Sequence, residues 1–159
     1  MFDEKENRTK TDGIICRTKC DKENGMSIFV GKDEEIVVEV YTIEVNGIHF
    51  CWTKNGKGTK PDGVTETSDG VKSYKVFFRI PTYRDTIDFV DTGIQFSPNG
   101  DFKVSSGAVS FYRFVKLLKS WTFEDAQGEP IPANQEMVSL LNPKLAQCIN
   151  ADLEEQLPQ

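Results

Sequence analysis

The sequence predicts an α+β fold in which an N-terminal, hairpin-rich antiparallel β-sheet is followed by two to three helices. Three observations support this prediction. Runs of β-branched and aromatic residues recur in the part of the chain before Ser105, an Asn-Gly turn joins two of them, and helical periodicity begins at Ser105. A chain whose strands precede its helices is typical of the α+β class. We expect a flexible arm over residues 1–13, a β-rich region over 14–104 and a helical region over 105–159, together forming one compact domain.

The strongest strand signal is a hairpin around Asn46 and Gly47. Residues 35–45 (EIVVEVYTIEV) are rich in β-branched side chains, and residues 48–54 (IHFCWTK) return after the turn. Both turn residues tolerate a positive φ, which a two-residue hairpin turn requires. Residues 55–70 contain four glycines and one proline, and they predict a long exposed loop.

The next strand is predicted over residues 71–80 (VKSYKVFFRI), and Pro81 ends it because proline cannot donate a ladder hydrogen bond. Residues 81–90 (PTYRDTIDFV) combine helix-start and strand signals, and we expect a short helix or a turn there. Two short apolar runs on either side of Pro98-Asn99-Gly100 predict a further small hairpin.

The helical region starts at Ser105, a residue type that caps helices. Residues 107–121 (GAVSFYRFVKLLKSW) place apolar side chains at helical spacing, which predicts a helix that ends with the tryptophan. After a break, residues 133–142 (ANQEMVSLLN) predict a short helix. Asn142 and Pro143 then suit the cap and the first position of a last helix, whose apolar face carries Leu145, Cys148, Ile149 and Leu153.

The distribution of charge limits the classes of partner. The 159-residue chain carries 25 acidic and 19 basic residues, and residues 123–159 alone hold seven acidic residues against one basic residue. An acidic surface repels phosphates, so we expect no nucleic-acid partner and favour a basic or amphipathic protein. There is no apolar run long enough to span a membrane and no secretory signal at the N-terminus, so we expect no membrane partner and a reducing cytoplasm.

One candidate metal site is visible, formed by Cys16, Cys20, His49 and Cys51. Three thiolates and one imidazole suit a tetrahedral zinc ion. However, His49 and Cys51 lie two apart on a predicted strand and point to the same face, which restricts the geometry. Ordinary core or surface positions are the better interpretation, so we expect no cofactor and keep zinc as the alternative.

Catalytic patterns are weak. Asp85, Asp88 and Asp91 are spaced three apart and could share a proton or a cation on a helix, but a solvated surface is the simpler interpretation. A hydrolase triad could draw only on His49, and no nucleophile motif accompanies it. We therefore expect a protein that is not an enzyme.

Residues 120–145 (SWTFEDAQGEPIPANQEMVSLLNPKL) carry a resemblance. A Lys-Ser-Trp helix end is followed by an acidic turn with Gly128, then by Pro130-Ile131-Pro132, then by a short helix with Leu141-Asn142-Pro143 at its end. This pattern resembles the C-terminal part of small proteins of tailed bacteriophages, known as tail assembly chaperones or minor tail proteins. Residues 77–89 (FFRIPTYRDTIDF) are similar to the strand-then-proline entry upstream in those proteins. The resemblance covers about residues 76–155.

The resemblance implies a non-catalytic protein of bacteriophage tail morphogenesis, which binds other tail proteins in the host cytoplasm and can form homo-oligomers. Two alternatives stay open. One is a structural subunit of the virion, in the baseplate or as a tail adaptor, and the other is a zinc-stabilised module that binds and inhibits a host protein. In the interpretation as a tail morphogenesis protein, the proline-containing link is a rigid corner that presents the partner-binding surface. This surface is formed by Trp121, Phe123, Pro130, Ile131, Pro132 and Leu141.

Overall fold

The computed structural model describes residues 29–31 and 34–158, and it confirms the predicted α+β class. The predicted arm over residues 1–13 lies outside the described residues. The elements in chain order are β1 (Glu35–Val45), β2 (Ile48–Thr53), β3 (Lys72–Arg79), α1 (Tyr83–Gly93), β4 (Ile94–Phe96), β5 (Phe102–Val104), α2 (Ser106–Leu117), β6 (Leu118–Trp121), α3 (Gln135–Ser139) and α4 (Pro143–Gln156).

The main sheet is antiparallel and has the strand order β2-β1-β3-β6. The predicted hairpin is confirmed: Asn46 and Gly47 have φ values of 53° and 81°, and Val45 pairs with Ile48. β1 lies in the middle of the sheet, and its alternate side chains are buried on one face. The residues between β2 and β3 form turns and loops, as predicted.

The end of the main helix differs from the prediction. Ser105 caps α2 as expected, with its hydroxyl accepting from the amide of Ala108, but the helix ends at Leu117. The next four residues form β6, in which Trp121 pairs with Val76 of β3. The prediction that Trp121 ends a helix is therefore wrong. Without β6 the outer edge of β3 would keep unpaired backbone groups, and pairing this edge outweighs one further helical turn.

The other predicted elements are present. Thr82 caps α1, and Asp85 completes a capping box with it, which resolves the ambiguity of residues 81–90 in favour of a helix. β4 and β5 form the small hairpin predicted around Pro98-Asn99-Gly100. Asn142 caps α4, with Pro143 at the start of the helix. Within the described residues, no helix is long and apolar enough to cross a bilayer.

The core lies between the main sheet and helices α2 and α4. Phe78 of β3 meets Phe114 of α2 edge to face, with ring centroids 5.1 Å apart. α4 packs on β1 and β2 and buries Ile149 and Leu153 completely. Each such aliphatic side chain contributes roughly 1.5–3 kcal/mol when fully buried. This packing fixes the start of α4 close to the edge of β2, where the candidate site lies.

Candidate functional site

An open and largely apolar cleft of about 420 Å³ lies between strands β1, β2 and β3 of the main sheet and residues 121–145. Aromatic and aliphatic side chains dominate its lining, which is typical of binding sites in proteins. The lining residues are Thr42, His49, Phe50, Cys51, Tyr74, Trp121, Phe123, Glu124, Ile131, Met137, Leu140, Leu141, Asn142, Lys144 and Leu145.

The structure brings four of the six predicted partner-binding residues together in this cleft. They are Trp121, Phe123, Ile131 and Leu141. Pro130 and Pro132 are exposed on the loop and do not line the cleft. The prolines act on the course of the backbone. Trp121, Ile131 and Leu141 are partly exposed in the cleft, whereas Phe123 is only 7% exposed and belongs to the core.

Hydrogen bonds and aromatic contacts hold the wall of the cleft. The indole Nε1 of Trp121 donates to the carbonyl oxygen of Ile131 at 2.6 Å, and the amide of Ile131 donates to the carbonyl oxygen of Phe123 at 2.9 Å. The ring of Phe123 contacts those of Trp121 and Tyr74, with centroids 5.0 and 5.1 Å away. Such pairs contribute roughly 0.5–1.5 kcal/mol beyond the area that they bury. The segment is thus tied to the sheet rather than hanging free.

The predicted acidic turn is a hydrogen-bonded structure. The carboxylate of Asp125 accepts from the amides of Gln127 and Glu129, both at 2.9 Å. The amide of Gly128 donates to the carbonyl oxygen of Asp125 at 3.0 Å, and Gly128 has a φ of 79°, which glycine adopts without strain. This turn returns the chain to the cleft.

The segment that borders the cleft is acidic, and its residue Glu124 is the acidic residue of the cleft lining. Residues 123–142 contain four acidic side chains and no basic one. All four are exposed, and within the part of the chain that the structure describes none forms a salt bridge. His49 and Lys144 are the basic residues of the lining. The acidic residues are Glu124, Asp125, Glu129 and Glu136.

The predicted zinc ligands do not assemble in the described chain. Cys16 and Cys20 lie outside the described residues. His49 is exposed, and its Nε2 lies 3.7 Å from the Glu44 carboxylate, while Cys51 contacts another thiol. Among residues 34–158, no group of three or more His, Cys, Asp or Glu side chains is placed to hold a metal. The zinc alternative stays a prediction that depends on the first cysteine pair.

The partner of Cys51 is Cys148 of α4, with the two Sγ atoms 3.5 Å apart. Burial, followed by the hydrogen bond to Cys51, raises the pKa of the Cys148 thiol to about 12, so this thiol stays protonated at neutral pH. Sequence reasoning placed Cys148 on the apolar face of the last helix but did not connect it with Cys51. Only the packing of α4 on β2 could connect two residues so far apart in the chain.

The three aspartates of α1 do not form a shared site. Asp85 is only 4% exposed and accepts hydrogen bonds from both terminal nitrogens of Arg79. The Arg79 guanidinium holds the pKa of Asp85 well below its usual range. Asp88 pairs instead with Arg84 at 3.5 Å, and Asp91 is exposed. Surface solvation is therefore the wrong interpretation for Asp85, which serves the structure as a buried ion pair and a helix cap.

Comparisons with protein-family models, curated proteins and solved structures find no match to the chain. The geometry and charge of the cleft are therefore the physical grounds for a function.

Proposed function

We propose that this chain is a non-catalytic binding protein whose cleft takes an apolar segment of a partner protein flanked by basic residues. The observation that carries this proposal is the combination of an apolar cleft with an acidic segment that borders it. Leu140 illustrates the apolar part, because it lines the cleft and is nevertheless 70% exposed. Trp121, Ile131 and Leu141 are partly exposed beside it. Apolar side chains that keep some exposure together in a concave surface mark sites of protein association.

The polar groups of the cleft favour binding over catalysis. The thiol of Cys51 contacts Cys148, and the imidazole of His49 contacts Glu44, so these two groups are not paired as nucleophile and base. The side-chain oxygen of Asn142 accepts from the amide of Lys144 as part of the α4 cap. Few polar groups remain to orient a small polar substrate, whereas an apolar centre with a polar rim is the usual anatomy of a protein interface.

Charge complementarity selects the kind of partner. The four carboxylates of residues 123–142 form no salt bridge within the described residues. The Asp125 carboxylate accepts two backbone amides of its own turn, and the other three are available to a basic segment. Such rim charges mainly accelerate association and suppress acidic competitors. Because they are exposed, salt screens their contribution. We infer that the partner segment presents an apolar face with lysine or arginine beside it.

The resemblance of residues 76–155 to tail assembly chaperones and minor tail proteins supports a tail protein of a bacteriophage as that partner. In this proposal the chain acts in the host cytoplasm, where it covers an apolar segment of the tail protein before assembly. Covering such a segment prevents it from associating with the wrong surface.

A virion subunit is the second candidate, and one observation favours it. In the β4–β5 hairpin Phe96 pairs with Phe102 and Ile94 pairs with Val104, so all four side chains share one face. Phe96 and Phe102 are 76% and 69% exposed. An apolar hairpin face of this kind suits burial against a neighbouring subunit. Mass spectrometry of purified particles separates the candidates, because a subunit is present in stoichiometric amounts and a chaperone is absent.

The cleft is tested by fluorescence anisotropy with short labelled peptides that have leucine and phenylalanine on one helical face and lysine on the other. We expect binding that weakens with salt, and about tenfold weaker binding for Leu140→Ala. The matched control is Val104→Ala, which truncates an exposed side chain of the β4–β5 hairpin. Equal losses of peptide affinity for Leu140→Ala and Val104→Ala would contradict the assignment of the cleft as the binding site.

Charge is tested with the same peptides. Glu124→Lys should weaken binding roughly fivefold, whereas Asp69→Lys, an equal change of net charge on an exposed loop outside the cleft, should leave it unchanged. A peptide with glutamate in place of lysine should bind least. In infected cells the wild-type chain should then capture a tail protein, and the Leu140→Ala variant should not.

A further inference from the structure

Cys51 and Cys148 form a dithiol site on the boundary between the sheet and the last helix. The two residues are 97 positions apart in sequence, and their Sγ atoms are 3.5 Å apart. We propose that a small anionic disulfide of the oxidised-glutathione class oxidises this pair to an intramolecular disulfide, which clamps α4 to β2. Cys51 also lines the cleft, but the proposal does not depend on partner binding there.

The geometry favours closure of the bond. The Sγ atom of Cys148 also lies 3.6 Å from the carbonyl oxygen of Cys51, so the thiol of the helix sits directly on the strand. A disulfide bond has an S–S distance of about 2.05 Å. In the reduced pair, the two sulfur atoms are already in van der Waals contact at 3.5 Å. The two sulfur atoms therefore have to approach each other by only about 1.5 Å.

An entry route is present. A pocket of about 440 Å³ is lined by both cysteines and by Gly58. A Cβ atom at Gly58 would overlap the Cys148 sulfur and the Cys51 carbonyl oxygen, so the absence of a side chain there leaves the pair uncovered. Cys51 is partly exposed and Cys148 is buried, hence an incoming oxidant reaches Cys51 first.

The charge of the pocket selects the class of oxidant. His49, Lys57 and Lys144 line the pocket, and its lining contains no acidic side chain. Lys57 is engaged with Glu155 at 3.0 Å, whereas Lys144 has no carboxylate partner among the described residues. Oxidised glutathione carries carboxylates, which the Lys144 ammonium attracts.

The exchange proceeds in two balanced steps. The Cys51 thiolate attacks one sulfur of oxidised glutathione, the S–S bond breaks, and one glutathione leaves as a thiolate that takes up the proton released by Cys51. The Cys148 sulfur then attacks the Cys51 sulfur of the mixed disulfide, and the second glutathione leaves with the proton of Cys148. Two protein thiols are oxidised and one glutathione disulfide is reduced to two glutathiones. The clamp therefore responds to the ratio of oxidised to reduced glutathione.

The test uses the full chain with Cys16→Ser and Cys20→Ser, so that only the proposed pair can react. After native incubation with oxidised glutathione, peptide mapping should find Cys51 joined to Cys148. The melting temperature should rise by roughly 10 °C and fall back on reduction, because the bond closes a loop of nearly 100 residues. Cys148→Ala in the same background should instead retain one glutathione on Cys51.

Two outcomes would overturn the proposal. One is a mixed disulfide that persists on Cys51 while Cys148 stays free, and the other is two free thiols under conditions that oxidise the denatured chain. If Cys148→Ala fails to fold, peptide mapping of the chain that keeps Cys51 and Cys148 still decides between these outcomes.

Discussion

The indole nitrogen of Trp121 donates a 2.6 Å hydrogen bond to the carbonyl oxygen of Ile131, and this bond joins the edge strand of the sheet to the wall of the cleft. The backbone of Ile131 is also held by Phe123, whose carbonyl oxygen accepts from its amide at 2.9 Å. A residue of β6 thereby fixes the position of a loop residue ten places later. The shape of the cleft depends on the sheet as well as on the two prolines.

Trp121→Phe should loosen this wall without removing the aromatic ring. The carbonyl oxygen of Ile131 loses its donor, and we expect the free energy of unfolding to fall by about 1–2 kcal/mol. Amide hydrogen exchange measured by NMR should accelerate at Ile131, while the amide of Lys54, bonded to the Glu39 carbonyl oxygen, serves as the internal control. Unchanged exchange at Ile131 would show that the indole bond does not hold the loop.

Local signals of the sequence predicted much of the fold. Asn46 and Gly47 specify their hairpin because the positive φ values of the turn suit these two residues and few others. Ser105 and Asn142 specify helix starts because their side chains bond the free amides of the first turn. In each case, the residues that decide the structure are neighbours in the chain.

The features that were missed depend on distant contacts. Residues 118–121 continue the helical period of α2, and only the open edge of β3, about 40 residues earlier, makes them a strand. The same limit applies to the site. Trp121 and Phe123 could be proposed as a surface from their local motif, but the contact between Cys51 and Cys148 exists only because α4 packs on β2.

Gly58→Ala tests the packing over the thiol pair. Gly58 has a φ of 88°, and a side chain there would overlap Cys51 and Cys148. Gly56 has a similar φ of 91° but nothing within 4 Å of the added atom. Both alanine variants bear the backbone strain of about 1 kcal/mol, and only Gly58→Ala adds an overlap of roughly 1–3 kcal/mol. Urea denaturation should therefore rank Gly56→Ala above Gly58→Ala in stability, and equal values would contradict the described packing.

Asp85→Asn removes the charge that pairs with Arg79. Because the Arg79 side chain is about one third exposed, solvent screens the ion pair. We expect Asp85→Asn to lower the free energy of unfolding by about 2 kcal/mol at neutral pH. The pKa of Asp85 is depressed by the Arg79 guanidinium, so its stabilising contribution is present above about pH 4 and is lost as the pH falls further. The difference in the free energy of unfolding between wild type and Asp85→Asn should therefore shrink as the pH falls from about 5 to about 2.

Asp88→Asn is the matched control on the same helix. Its partner Arg84 is one turn away on the surface, with the charged groups 3.5 Å apart. Such pairs contribute roughly 0.2–0.5 kcal/mol. Urea denaturation monitored by tryptophan fluorescence should therefore separate the two variants clearly at neutral pH. If Asp85→Asn lowered the free energy of unfolding as little as Asp88→Asn does, the stabilising role of the buried ion pair would be contradicted.

Asp152 predicts a pH dependence of the opposite sign. This carboxyl is buried in α4 and accepts hydrogen bonds from Asn55 at 2.8 Å and from Gln156 at 3.2 Å. Burial raises its pKa above the usual value, and the two hydrogen bonds offset this only in part. The folded state thus binds the proton more tightly than the unfolded state, and stability is gained as the pH falls through the folded pKa.

Asp152→Asn removes this titration and keeps a carbonyl acceptor for Asn55. We expect the stability of the wild type relative to this variant to rise from neutral pH down to about pH 4, the unfolded value of an aspartate. Asn55→Ala removes a donor that favours the ionised form, so it should enlarge the same rise. Urea denaturation of the three proteins over this pH range measures both effects. A relative stability that stays flat or falls on acidification would mean that Asp152 is not desolvated by the packing of α4.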